Sequence, residues 1–232
     1  MPTAAMNSTT GLLLSGGIDS AVLLWQLQQT ADQVAPFYIR TGCVWQNEEL
    51  AAVNQFLAAT AFPNVGTLVE LEMPLADLYG RHWSITGSRV PDDQTADEAV
   101  YLPGRNPLLL LKPALWCYRH NIRQLALATL AANPFRDATP RFFQAFETML
   151  READCGSVAI IRPFEALTKK DVLALGRHVP LELTFSCLSP IEGQHCGRCN
   201  KCAERRRGFA ETGIEDRTRY YAGPAATPST MR

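Results

Sequence analysis

The stretch Gly11–Leu27, GLLLSGGIDSAVLLWQL, decides how this chain is read. Leu12, Leu13 and Leu14 form a short apolar run of the kind that makes a buried strand, and Ala21 to Leu27 continue as an apolar helix. Between them lies Ser15-Gly16-Gly17-Ile18-Asp19-Ser20. A glycine-rich turn from a strand into a helix is an anion site, because unpaired N–H groups and the positive end of the helix dipole meet there. This turn is shorter than a Walker-type phosphate loop and lacks its lysine. Ser15 and Ser20 supply hydroxyls, and Gly16 and Gly17 let the backbone come close. Such a turn suits a pyrophosphate that leaves as a unit. Asp19 fits that role if Mg²⁺ is present, since carboxylate plus phosphate oxygens is its usual setting. The plainer role for Asp19 is favourable charge at a helix N-terminus.

Working outward, strand-like runs alternate with helical ones. Strands are predicted at Gly11–Leu14, Val34–Ile39, Thr67–Leu71, Gln124–Ala128 and Val158–Ile161. Helices are predicted at Ser20–Gln28, Gln46–Ala59, Pro107–Arg119, Pro140–Arg151 and Thr168–Leu175, with a kink at Pro113. Thr168 and Asp171 have capping-box spacing. Short apolar strands separated by helices imply parallel strands covered on both faces. Right-handed crossovers then give a Rossmann-like, doubly wound α/β sheet of five parallel strands, with ligands at the strand C-termini. Trp83 to Tyr101 is polar and acidic and is expected to be a long functional loop.

The 232 residues, 47% hydrophobic, suffice for one domain with a small appendage. We place a nucleotide-binding catalytic domain at 1–184, a cysteine-rich segment at 185–221 and a disordered Pro/Ala/Ser/Thr tail at 222–232. The formal net charge of −1 argues against a general nucleic-acid field. No run reaches the length of a membrane span, and Met1 to Thr10 lack the pattern of a secretory signal. A cytoplasmic protein is therefore expected, with its seven cysteines reduced or bound to metal.

The second informative stretch is Phe185–Phe209, FSCLSPIEGQHCGRCNKCAERRRGF. Cys187, Cys196, Cys199 and Cys202 have the spacing of a closed tetrahedral Zn²⁺ site. An iron–sulfur cluster is the rival, since C-x2-C-x2-C also occurs in ferredoxins. Four thiolates on Zn²⁺ carry a net −2, which Arg198, Lys201, Arg205, Arg206 and Arg207 can offset. A salt-bridged helical face is the bland role of those arginines, and nucleic-acid contact the speculative one. His195 is a bystander, because four cysteines fill the tetrahedron. Cys43, Cys117 and Cys155 are read as core or loop residues.

The turn LLLSGGIDS resembles the SGGxDS signature of the PP-loop ATP pyrophosphatases, matched at Ser15, Gly16, Gly17, Asp19 and Ser20. Together with the C-terminal F-S-C … C-G-R-C-N-K-C … R-G-F pattern, the chain resembles the 7-cyano-7-deazaguanine synthase family over roughly Gly11 to Phe209. Pro103-Gly104-Arg105-Asn106 matches that family's P-x-R-N segment, and Lys169 in LTKKDVLALG its lysine opening the helix after the fifth strand. The resemblance implies the adenine-nucleotide alpha hydrolase type of fold. ATP with Mg²⁺ would lie at Leu14, Ser15, Gly16, Gly17, Asp19 and Ser20, and Zn²⁺ at the four cysteines. Asp19, Arg105, Asp137 and Lys169 would be catalytic. It further implies an ATP-dependent C–N ligase of queuosine-type deazapurine biosynthesis. Such an enzyme joins a small-molecule acid, 7-carboxy-7-deazaguanine, with ammonia through adenylated acid and amide intermediates. No membrane or nucleic-acid partner is implied, and a homodimer is allowed.

Two segments depart from that family's pattern. FYIRTGCVWQNEE (37–49) keeps Tyr38 and an out-of-register Arg40. NPFRDATPRFF (133–143) keeps Asp137, Pro140 and Phe142 but has Ala138, Thr139 and Arg141 where the family has cysteine, arginine and glutamate. Both follow strands that flank the first turn, so the acid-binding half is the altered one. Two other functions are therefore carried. One is a PP-loop enzyme that adenylates another acid or thiolates tRNA, with Cys43 the available thiol. The other is a non-catalytic, zinc-stabilised nucleotide-binding module.

Overall fold

A computed structural model describes residues 8–223, so the predicted tail lies outside the described residues from position 224 onward. Five strands form one sheet: β1 Thr9–Leu13, β2 Gln33–Arg40, β3 Val69–Glu72, β4 Gln124–Ala126 and β5 Ala159–Ile161. Their order is β3-β2-β1-β4-β5, and every pairing is parallel. The chain leaves β1 to build one half of the sheet and returns to add β4 and β5 on the other side. The C-terminal ends of β1 and β4 therefore flank the switch point where such a sheet opens a crevice.

Eight α-helices are present among the described residues: α1 Ile18–Thr30, α2 Gln46–Thr60, α3 Ala76–Tyr79, α4 Trp83–Thr86, α5 Arg105–Arg119, α6 Pro140–Glu152, α7 Lys169–Leu175 and α8 Asn200–Thr212. Strand side chains alternate between two cores, as the two-residue period requires. Leu12, Leu14, Val34, Tyr38 and Ala126 pack with α1, with Val53 and Phe56 of α2, with Val172 and Leu173 of α7 and with Phe209 of α8. Phe37, Ile39, Leu125 and Ile160 pack with Leu110, Ala114 and Cys117 of α5 and with Phe143, Phe146 and Leu150 of α6. Because α1 lies between the sheet and α7, it buries Ile18, Ala21, Val22, Leu23, Leu24 and Leu27, an apolar surface wider than a single stripe. Gly11 in β1 marks a close approach of α5. A Cβ there would stand 2.8 Å from Cys117 Sγ and 3.0 Å from the Phe37 ring.

The predicted elements all exist, with shifted ends. Helix α1 starts at Ile18, which puts Asp19 and Ser20 in its first turn, and α5 starts at Arg105 and runs on through the buried Pro113. Thr168 caps α7 through a complete capping box with Asp171. The segment Trp83–Tyr101 is not one long loop. It contains α4 and a 3₁₀ turn at Asp97–Val100. It is also strapped to the cysteine-rich segment. The Asp93 N–H donates to Arg198 O (3.1 Å) and the Asn200 N–H to Pro91 O (3.0 Å). Asn200 Nδ2 adds a bond to Thr95 O (2.8 Å). Underneath, a third apolar cluster joins Cys43, Trp45, Val100, Leu102 and Phe185 to the four clustered cysteines. None of the described helices is long and apolar enough to cross a membrane.

Candidate active site and metal centre

The turn after β1 is built by sterics first. Gly16 has φ +81°, and a Cβ on it would stand 3.1 Å from Glu49 O and 3.0 Å from Val53 Cγ2. A side chain is excluded both by the left-handed backbone and by α2 beneath it. Gly17 caps α1 without any side-chain hydrogen bond, so the first-turn N–H groups stay open to an anion. Ser15 Oγ and Ser20 Oγ lie 3.2 Å apart, and Ser20 Oγ donates to Gly17 O (3.1 Å). The Phe185 N–H donates to Gly16 O (2.7 Å), so the approach to the cysteine segment braces the turn. Leu14 is buried in the core, with its N–H bonded to Phe37 O (2.9 Å).

Asp19 and Lys169, 150 residues apart, meet at this turn. Lys169 Nζ donates to Asp19 Oδ1 (2.8 Å) and Oδ2 (2.7 Å). It also pairs with Glu204 Oε1 (3.0 Å), and Glu204 Oε2 pairs with Lys201 (2.5 Å). Burial works against the Lys169 charge, but the carboxylates of Asp19 and Glu204 outweigh it and raise its pKa. Burial alone would raise Glu204, yet Lys169 and Lys201 hold it down at about 2. Glu204 and Lys201 lie on α8, which packs on α7 so closely that a Cβ at Gly208 would stand 2.7 Å from Leu173 Cδ1. Sequence reasoning named Lys201 only as a counter-charge and did not find Glu204. The signal was weak, a glutamate among arginines.

Arg105 and Asp137 meet in a second place, a cavity of about 200 Å³ walled by Trp45, Trp83, Tyr101 and Phe135. Asp137 lies in a 3₁₀ turn after β4, and its Oδ2 accepts the Asn106 N–H (3.2 Å) at the start of α5. Three atoms of cavity-lining residues are buried without a protein partner: Arg105 Nε, Asp137 Oδ1 and Thr129 Oγ1. Buried orphans of this kind are rare in folded proteins and point to a ligand. Lys201 also lines this cavity, so the Lys201–Glu204–Lys169–Asp19 chain of charges links it to the turn.

Both altered segments reach the cavity, through Trp45 of the first and Asn133, Phe135 and Asp137 of the second, but their substituted residues lie elsewhere. Thr139 is exposed and caps α6, its Oγ1 accepting the Phe142 N–H (3.2 Å), and Arg141 is exposed. Neither lines the cavity, so the charge reversal read from sequence lies away from it. Arg40 pairs with Glu70 and Glu72 (3.0 Å each) at the edge of the sheet. Tyr38 instead donates to Glu49 Oε2 (3.0 Å). Burial pushes Glu49 up to about 7, and the nearby Arg105 only partly offsets it. Sequence reasoning also missed Glu49, which lies in the first turn of α2, a helix read only for its periodicity. Cys43 is buried, and burial raises its pKa.

The four cysteine sulfurs lie within 4.8 Å of one another, with pairs at 3.9 and 4.0 Å. Tetrahedral thiolates on a single Zn²⁺ at about 2.3 Å stand about 3.8 Å apart. A cubane cluster interposes four irons and holds its thiolates farther apart, so this spacing fits one ion. Backbone N–H groups of Leu188, Ser189, Cys196, Arg198 and Cys199 point at the sulfurs at 3.2–3.4 Å. His195 stays out of the cluster, its Nε2 accepting the Ser186 N–H (3.2 Å). Nearby arginines fasten backbone. Arg205 reaches Leu181 O and Thr184 Oγ1 (2.7 and 2.8 Å), and Arg206 reaches Gly197 O (2.7 Å).

A family model described as "Queuosine biosynthesis protein QueC" matches residues 10–213. A relative named 7-cyano-7-deazaguanine synthase, from Leptospira interrogans serovar copenhageni, is 28% identical over 228 residues, covering 93% of this chain and 92% of its own length. The 7-cyano-7-deazaguanine synthase 1 of Desulfitobacterium hafniense is 31% identical, covering 85% and 90%. Among solved structures, a 4-thiouridine synthetase in complex with RNA and ATP has a TM-score of 0.51 at 14% identity, covering 89% of this chain and 50% of its own. At that identity the likeness shows a shared fold alone.

Proposed function

The chain belongs to the queuosine biosynthesis protein QueC family, and from that membership we propose that it is a 7-cyano-7-deazaguanine synthase, a cytoplasmic ATP-dependent C–N ligase. In this reading the substrate carboxylate attacks the α-phosphorus of ATP and pyrophosphate leaves. Ammonia displaces AMP to give the amide. A second ATP activates the amide oxygen, and loss of AMP with a proton leaves the nitrile. The chemistry is driven by replacing a poor leaving group, a carboxylate or amide oxygen, with a good one.

The observation that carries this reading is the cavity with orphaned Arg105 Nε, Asp137 Oδ1 and Thr129 Oγ1, linked to the Ser15–Ser20 turn by four charged side chains. Open N–H groups of α1 and the Lys169 ammonium would stabilise charge developing on pyrophosphate. Asp137 Oδ1 would accept from the amino edge of the deazaguanine, with Tyr101 and Phe135 as apolar walls. Asp19 would hold Mg²⁺, which neutralises phosphate charge when bound. Cys187, Cys196, Cys199 and Cys202 would hold a structural Zn²⁺ that fixes the start of α8. Thiolation is disfavoured, because the buried Cys43 with a raised pKa lacks thiolate character.

Incubation with ATP, ammonium and 7-carboxy-7-deazaguanine, followed by mass spectrometry, tests the reading. The expected products are the nitrile with AMP and pyrophosphate. AMP formed only with another acid would overturn the substrate. No AMP with any acid would leave a nucleotide-binding module.

A further inference from the structure

Two cations line the cavity, Arg105 from α5 and Lys201 from α8. Arg105 shares the first turn of α5 with Asn106, whose N–H holds Asp137. Lys201 comes from α8. Among the cavity residues it is the one joined, through Glu204, to Lys169 and Asp19 at the pyrophosphate turn. A ligand that meets both Asp137 and the charges leading to the turn would have its acid group at Lys201. The deazaguanine acid has that polarity, with N1–H and the 2-amino group on one ring and the carboxylate on the other.

We propose that Lys201 is the specificity-determining cation that binds the acid's carboxylate and presents it to ATP; this rests on the deazaguanine reading above. Lys201 is not exhausted by Glu204. Its ammonium has three donors, one of which the Glu204 Oε2 contact at 2.5 Å uses, and its side chain is 31% exposed. At the turn the charges already present balance, with Asp19 and Glu204 against Lys169 and Lys201. An incoming carboxylate therefore needs free donors: Lys201 has two, and of the two cavity cations with a free donor, it and Arg105 Nε, it is the one tied to the turn through Glu204. Lys201 also stands in the first turn of α8, where the helix dipole opposes a cation. That placement is unfavourable for a lysine that serves the surface alone. Thr139 and Arg141 supply no competing cation, since the first caps α6 and the second is exposed away from the cavity.

The test is calorimetric titration without ATP, using 7-carboxy-7-deazaguanine and, as a probe without the carboxylate, 7-deazaguanine. The wild-type protein should bind the acid more tightly. Lys201→Met should weaken the acid by about tenfold to a hundredfold while leaving 7-deazaguanine within about twofold. Lys201→Arg, which keeps the charge, should retain most of the preference. Should the methionine variant lose its metal, Lys201→Gln, which keeps a polar head beside Glu204, carries the same comparison. A preference for the acid that survives in Lys201→Met, or an equal loss for both ligands, would overturn the assignment. If the wild-type protein binds neither ligand, the deazaguanine reading itself fails and takes the assignment with it.

Discussion

Lys169→Met removes one ammonium from the centre of the site and little else. The methionine keeps an unbranched stem against α8, where a Cβ at Gly208 would stand 3.2 Å from Lys169 Cγ. Asp19 loses both of its contacts (2.8 and 2.7 Å) and Glu204 loses one of its two cations (3.0 Å). Removing one partner of a buried ion pair costs about 3–5 kcal/mol. Lys169 is 23% exposed and both carboxylates 25%, so solvent screening brings the expectation to about 2–4 kcal/mol at neutral pH. The Glu204 pKa, lowered from 4.5 to about 2 by Lys169 and Lys201 against the opposing effect of burial, corresponds to a net of about 3 kcal/mol. The sign follows from the depressed pKa. Glu204 stabilises the fold above its unfolded value of 4.5, and that contribution is lost as pH falls toward about 2. The variant has less of this contribution to lose. Its deficit is therefore fullest above about pH 5 and narrows on acidification. Urea unfolding at about pH 7.5 and pH 4 measures both points. A deficit below about 1 kcal/mol at the higher pH, or the same deficit at both, would refute the buried-triad account.

Three further outcomes are expected. Cys199→Ser should lower the metal content from one ion per chain and destabilise the fold well beyond an exposed substitution, because metal binding is coupled to folding; elemental analysis that finds iron instead of zinc would overturn the single-zinc assignment. Glu49→Gln should match the wild type near pH 5 and exceed it by about 2–3 kcal/mol above pH 7, since a carboxyl raised to about 7 makes wild-type stability fall as pH rises from about 4.5; equal urea midpoints at both pH values would count against this. Gly11→Ala should cost about 1–3 kcal/mol by overpacking against Cys117 Sγ, and the Gly11→Ala/Cys117→Ala pair should recover part of the loss in thermal unfolding.

The sequence by itself determined the alternation of strand and helix, the glycine-rich turn at Ser15–Ser20 and the cysteine quartet. Each of these is written in short-range spacing, whether a run of apolar residues, a glycine pair before a helix or four thiols within sixteen positions. It also singled out Asp19, Arg105, Asp137 and Lys169 as candidates, but not how they group. The tertiary structure decided that Asp19 and Lys169 form one cluster and Arg105 and Asp137 another, with Glu204 and Lys201 between them. It also decided that Thr139 caps a helix and that Arg40 pairs along the sheet edge. The segment Trp83–Tyr101 reads as a loop in sequence, and only the Asn200 and Arg198 contacts make it a wall of the cavity. The reason is one of distance along the chain. Periodicity and capping act over a few residues, whereas charges 30 to 150 positions apart are brought together only when the helices pack on a twisted sheet and its strand ends converge on one crevice.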